Sequence, residues 1–155
     1  MSDCIFCDIV THEIECFSIW EDEKHLAFLS IYPNTEGVTV VIPKLHYPSY
    51  LFSLDDTVII ELILASKKVA QILDNAFGDV ARTGMIFEGF GVNHVHSKLI
   101  PMHGTSKFST WVPIQSKNES YFHRYEGYIS SHDCHIIDRN ELAIVASMIR
   151  ESCKQ

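Results

Sequence analysis

What this 155-residue chain lacks narrows its function before any motif is considered. Lysine and arginine number only 12 against 20 aspartates and glutamates, a formal net charge of −8. No basic stripe is therefore available to follow a nucleic-acid backbone, and a nucleic-acid polymer is not expected as partner. A small anion met by local charges stays compatible with the composition. No run approaches the roughly 20 apolar residues that cross a bilayer, and the opening Met-Ser-Asp-Cys has neither a basic start nor an apolar run of signal-peptide length. A cytoplasmic protein with no membrane partner is expected. Repeats and low-complexity tracts are missing as well. The five cysteines, an odd count without a secretion signal, read as thiols or metal ligands rather than a disulfide framework. Hydrophobic residues at 46% argue against disorder, and the length fits a single domain with one substantial core.

The most informative stretch present is 91–101, Gly-Val-Asn-His-Val-His-Ser-Lys-Leu-Ile-Pro. Read as a strand, it sends alternate residues to one face at a rise of roughly 6.6 Å per pair. His94, His96 and Lys98 then form one polar row, with Val95, Ser97 and Leu99 opposite. Two imidazoles and an ammonium in a core would each need a partner, whereas such a row suits phosphate. A solvated strand face is the plain alternative.

The remaining elements follow from local pattern. A Cys-x-x-Cys pair, Cys4 and Cys7, opens the chain on a tight turn or the first turn of a short helix. Strands are expected over 17–20 and 25–29, joined by the charged run 21–24. The β-branched run 38–43 reads as a central strand. A long helix follows, with Ser53 or Asp55 as N-cap and Gly78 as its stop; Ile59, Leu62, Ile63, Val69, Ile72, Leu73 and Phe77 recur at helical spacing as a core stripe. Residues 83–87 form a fourth strand, 88–91 a glycine-bearing turn, and 93–101 the fifth strand. From 104 to 138 the chain turns polar, with Trp111, Tyr121, Phe122, Tyr125 and Tyr128 expected to lie on the domain. Asp138 and Glu141 resemble a capping box ahead of a terminal helix with Leu142, Val145 and Ile149 on one face. The fold class is α+β: an antiparallel sheet of about five strands, one long helix inserted and a C-terminal helix. Residues 1–103 make the domain and 104–155 an extension packed on it.

Taken together and in order, Cys4-Ile-Phe-Cys7, Trp20-Glu-Asp-Glu23, Leu26-Ala-Phe-Leu29, Gly37-Val-Thr-Val-Val-Ile-Pro-Lys44, His46 and His94-Val-His96 resemble the histidine triad (HIT) family of nucleotide hydrolases and transferases. The extension, with Tyr125-Glu-Gly-Tyr128 and Ser131-His-Asp133, is similar to the tail of some bacterial members. The chain departs from the family pattern in four ways: Lys98 stands for the third histidine, Ser97 for an apolar residue, Leu29-Ser30-Ile31 for Leu-Asp-Ile, and Glu88-Gly-Phe-Gly91 for the usual Gly-Gln-Ser segment.

The resemblance implies that His96 attacks the α-phosphorus of a nucleotidyl substrate, an adenosine phosphoramidate or a dinucleoside polyphosphate, through a nucleotidyl-histidine intermediate. Lys98 would act as an electrostatic anchor, its plain alternative being a strand lysine reaching solvent. Ile31 and Asn34 would contact the nucleoside, and Gly89, Gly91 and Asn93 the phosphate through backbone N–H groups. Zinc-bearing members imply a structural Zn²⁺ on Cys4, Cys7, His46 and His94; a redox pair or two buried thiols are the rival readings of the cysteines. A homodimer is implied too. Rivals to turnover are a catalytically weakened nucleotide-binding or scaffold protein and a zinc-stapled adaptor. Cys16, Cys134 and Cys153 read as packing residues, and His103 as either a cleft or a solvated loop histidine.

Overall fold

The computed structural model describes residues 3–105, 111–115, 120–127 and 136–152. The β-branched run at its centre forms strand β3, Thr39–Pro43, with all five residues buried. Strand β2, His25–Leu29, pairs with it antiparallel from His25↔Pro43 to Leu29↔Thr39, and β1, Ser18–Glu21, lies outside β2. On the other side come β5, Ser97–Pro101, and the edge strand β4, Thr83–Ile86, giving the order β1-β2-β3-β5-β4. This is the α+β architecture expected.

Both faces of β2 and β3 are buried because helices cover each side. Ala27, Leu29, Val41 and Leu99 pack on the long helix α2, Asp56–Ala76, and on α3, Arg139–Ser152; Leu26, Phe28, Val40 and Ile42 pack on the short α1, Ile5–Val10. Leu62, Val69 and Leu73 are the buried stripe of α2, while Ile63 belongs to its outer side. Asp55 is the N-cap residue, with extended backbone and no capping side-chain bond, and the helix stops at Phe77 without a left-handed Gly78. Asp138 does cap α3, its Oδ1 accepting the N–H groups of Asn140 at 2.9 Å and Glu141 at 3.3 Å. Leu142, Ala146 and Ile149 then enter the main core.

Ser97, the polar residue in an apolar slot, is fully buried and meets Ser66 of α2 at 2.6 Å between hydroxyl oxygens. Ser66 spends its proton on the Leu62 carbonyl at 2.8 Å, so Ser97 is the donor to Ser66 Oγ. The substitution is therefore half of a satisfied pair across the helix–sheet interface.

Two expectations need correction. The fifth strand begins at Ser97 rather than 93, because the preceding backbone bonds elsewhere: Val95 N–H donates to the Tyr47 carbonyl and His94 N–H to that of Val92. The aromatics after 104 are not uniformly laid on the domain, since Trp111 and Tyr121 stand exposed. Tyr128, 131–133, Cys134 and Cys153 lie outside the described residues.

His103 is a partly exposed loop histidine with both ring nitrogens engaged. Its Nδ1 lies 3.0 Å from Asp79 Oδ1 and its Nε2 3.0 Å from the Glu36 carbonyl. Both partners only accept, so both ring nitrogens must carry protons and the ring is an imidazolium that ties the end of α2 to the loop 33–37. Burial opposes that charge, but the Glu36 carbonyl and the Asp79 carboxylate outweigh it and raise the pKa above 6.5. A raised folded pKa gives stability that is complete below the unfolded value of about 6.5 and is lost as pH rises through the folded value. His103→Gln is therefore expected to lower the urea midpoint most at mildly acidic pH, and the gap to wild type should close as pH rises through the raised pKa. A gap independent of pH would contradict the imidazolium assignment.

Candidate functional site

Four side chains from three separate stretches converge beside α1. Cys4 stands at the N-cap of that helix and Cys7 lies in its first turn; His46 follows β3 and His94 precedes β5. One ligand atom from each lies within 4.8 Å of all the others. The separations are 3.5 Å from Cys4 Sγ to His94 Nδ1, 3.3 Å from Cys7 Sγ to His46 Nδ1 and 3.7 Å from Cys7 Sγ to His94 Nδ1. The edges of a tetrahedron built on Zn–S and Zn–N bonds run roughly 3.4–3.8 Å, so the cluster has the size of such a site. His94 is fully buried, and its Nε2–H donates to the Pro43 carbonyl at 2.9 Å, which leaves the Nδ1 lone pair facing the sulfurs.

Two residues on, the His94 carbonyl accepts Nδ1–H of His96 at 2.7 Å. A carbonyl cannot donate, so this bond fixes the tautomer and places the lone pair of His96 on Nε2. The ring is only 5% exposed and stands edge-on to Phe6 at 5.3 Å between centroids. Among the described residues, Asn34 Oδ1 is the sole buried side-chain polar atom without a partner, and His96 Nε2, with no partner of its own, is accordingly still touched by solvent. Burial, first, holds the His96 pKa below 6.5; the charge of Lys98 adds to this, while the His94 carbonyl and Glu88 oppose it. Near neutral pH the ring is uncharged, with one bare nitrogen.

Lys98 extends the row on β5, paired across the ladder with Val40 and Ile86. The loop before His94 is shaped by Gly89, whose φ of +82° and a Ser49 carbonyl 3.0 Å from any added Cβ admit no side chain. Nothing stands within 4 Å of a Cβ built on Gly91. The Asn93 side chain is occupied, Oδ1 accepting Ser49 N–H at 3.1 Å. The structure thus brings Cys4, Cys7, His46, His94 and His96 together, with Lys98 beside them and Gly89, Gly91 and Asn93 in the adjoining loop. Ile31 and Asn34 lie in the loop after β2. Asn34 lines a cavity of about 490 Å³ walled by Ile137, Leu142 and Val145 at the α3 end. Phe6, edge-on to both His94 and His96, was missed by sequence reasoning, although its place between the two cysteines marked it. No helix among the described residues is long and apolar enough to cross a membrane.

With this geometry in view, comparison with known proteins is specific. Residues 11–105 match the HIT domain model. An uncharacterized HIT-like protein of Methanocaldococcus jannaschii is 38% identical over 102 residues, covering 63% of this chain and 78% of that protein. An adenosine 5'-monophosphoramidase of Schizosaccharomyces pombe is 35% identical over 99 residues, covering 63% and 73%. Among solved structures, a hypothetical histidine triad nucleotide-binding protein of Sulfolobus tokodaii superposes with a TM-score of 0.70 at 26% identity, over 97% of this chain and 92% of that one.

Proposed function

The chain belongs to the HIT family, and on that premise we propose that it is a nucleotide hydrolase or nucleotidyl transferase in which His96 attacks the α-phosphorus of a nucleotidyl substrate. The observation that carries this reading is the locked tautomer: Nδ1–H is spent on the His94 carbonyl at 2.7 Å, leaving Nε2 as the nucleophilic atom. In the first step the Nε2–phosphorus bond forms as the leaving group departs in line; in the second, water opens the nucleotidyl-histidine. Lys98 stabilises charge growing on the phosphoryl oxygens as a fixed ammonium. Gly91 leaves open space beside its Cα for an anion to approach, Gly89 sets the turn, and Asn93 holds the loop to Ser49. Ile31 and Asn34 are assigned to the nucleoside. Rapid acid quench of the protein with an adenosine phosphoramidate or a dinucleoside polyphosphate, followed by intact-mass analysis, should reveal a chain heavier by one nucleoside monophosphate. Turnover with no trappable adduct would overturn the covalent route.

Cys4, Cys7, His46 and His94 would hold a zinc ion. Their spacing fits a tetrahedron, both Nδ1 atoms face the sulfurs, and all four positions come from the protein. A closed site of this kind supplies structural fastening and no metal-bound water. Within it Cys7 binds α1 to His46, and Cys4 binds α1 to the His94 segment.

A homodimer is the third part of the reading. β4 is a sheet edge whose Met85 is exposed, and α2 beside it presents Ile60 and Leu64, four residues apart, to solvent. An open edge flanked by apolar side chains suits pairing with a second copy. Light scattering should give twice the 17.7 kDa chain mass, and Ile60→Asp with Leu64→Asp should bring it to one chain. A wild type that is monomeric at micromolar concentration would refute this.

A further inference from the structure

The site as described has a nucleophile and a cation but no group to receive a proton when water opens the intermediate. His94 donates Nε2–H to Pro43 and turns Nδ1 to the cysteines, so neither nitrogen is available. His96 Nε2 is by then bonded to phosphorus. Lys98 is an ammonium and accepts nothing.

The end of the β4–β5 ladder brings one acidic residue into the neighbourhood of His96. The pairs run Thr83↔Pro101, Gly84↔Ile100, Met85↔Leu99 and Ile86↔Lys98. Ile86↔Lys98 is the last of these rungs, so Glu88, two residues past Ile86, and His96, two before Lys98, leave the ladder at the same end. The charge of Glu88 is also felt at the His96 ring. Gly89 fixes the chain immediately beyond it. From the segment 120–127, Tyr125 reaches back and donates its hydroxyl to Glu88 Oε1 at 2.5 Å, its ring resting on Phe90 at 5.5 Å between centroids. That bond engages Oε1, one of the two carboxylate oxygens.

We propose that Glu88 is the catalytic base of the hydrolytic step, oriented by Tyr125; this rests on the nucleotidyl-His96 chemistry above. The water oxygen bonds to phosphorus as the phosphorus–Nε2 bond breaks, and its electron pair returns to the imidazole. The water proton passes to the Glu88 carboxylate and from there to solvent, which a half-buried side chain reaches. Repulsion between this carboxylate and the bound phosphate is offset by Lys98. Glu88 thus carries out the proton transfer that a third histidine could perform and Lys98 cannot.

Glu88→Gln keeps the shape and an oxygen for Tyr125 while removing the base. Positioned proton transfer contributes about 10²–10⁴-fold, so steady-state hydrolysis of an adenosine phosphoramidate should fall by at least about 10²-fold. The burst of first product should persist, and the nucleotidyl adduct should accumulate in intact-mass spectra. Tyr125→Phe, which loosens the carboxylate without removing it, should slow the second step far less and leave the burst intact. Hydrolysis by Glu88→Gln at the wild-type rate with no added adduct would overturn this role while leaving the nucleophile assignment in place. Loss of the burst itself would overturn it too, since Glu88 would then serve the first step. Absence of any adduct or turnover in the wild type would remove both readings together.

Discussion

Replacing His96 by asparagine is expected to abolish turnover while leaving the fold and nucleotide binding in place. The asparagine amide nitrogen comes close to the position of Nδ1 and can still donate to the His94 carbonyl, so the 2.7 Å bond that organises the segment has a substitute. What disappears is Nε2, the one ring atom with no other task. Removing the nucleophile of a covalent enzyme leaves only binding and electrostatic terms, and the loss is typically ~10³-fold or more in kcat with little change in the affinity for product. Calorimetry with a nucleoside monophosphate and turnover of an adenosine phosphoramidate, run on the same preparation, separate the two. His96→Gly offers a sharper version: it opens a hole beside Phe6, and added imidazole should restore part of the rate without forming an adduct on the chain. If His96→Asn keeps wild-type turnover, the nucleophile lies elsewhere. If binding vanishes along with activity, the variant has disturbed the fold and the glycine variant decides.

How much of this the sequence carried depended on whether an interaction is periodic or depends on distant partners. The central strand was readable because Val38-Thr-Val-Val-Ile42 can hardly be anything else, and α3 because Asp138 caps it as its position predicts. The alternation His94, His96, Lys98 was readable as chemistry but misleading as geometry. Alternation looks like a strand, yet Val95 bonds Tyr47 and His94 bonds Pro43, so the two histidines lie ahead of the ladder and inside the protein. Their burial is tolerated because every nitrogen except His96 Nε2 has an acceptor or faces a sulfur. Ser97 read as a defect in the motif, since Ser66 lies 31 positions away and only the packing of α2 on β5 pairs the two. His103 was undecidable for the same reason: Asp79 and Glu36, which make it an imidazolium, belong to two other loops. Composition and spacing reveal elements and candidate ligands, whereas protonation states follow from partners brought in by the fold.

Withdrawing the metal should weaken the protein and its chemistry by different routes. α1 has only six residues, too few to persist on helical propensity, and its buried Phe6 and Ile9 are held on the sheet next to the cysteines. Apparent zinc binding contributes about 10–16 kcal/mol in peptides that fold around the ion; here most of the core is independent of it, so a loss of several kcal/mol is expected. At roughly 2–4 °C per kcal/mol for a domain of this size, the melting temperature should fall by about 10 °C in Cys4→Ser plus Cys7→Ser or after chelation. Metal analysis of unchelated wild type should give one zinc per chain, absent from the double variant. Activity should suffer well below the melting temperature, because the carbonyl that holds His96 Nδ1–H belongs to His94 itself. A ring released from the sulfurs lets that carbonyl turn, and a nucleophile free to rotate loses the alignment on which in-line attack depends. Readdition of zinc to chelated protein should restore the melting temperature and the rate together. Wild type purified without metal would sink the zinc assignment and return Cys4 and Cys7 to a redox pair or two buried thiols.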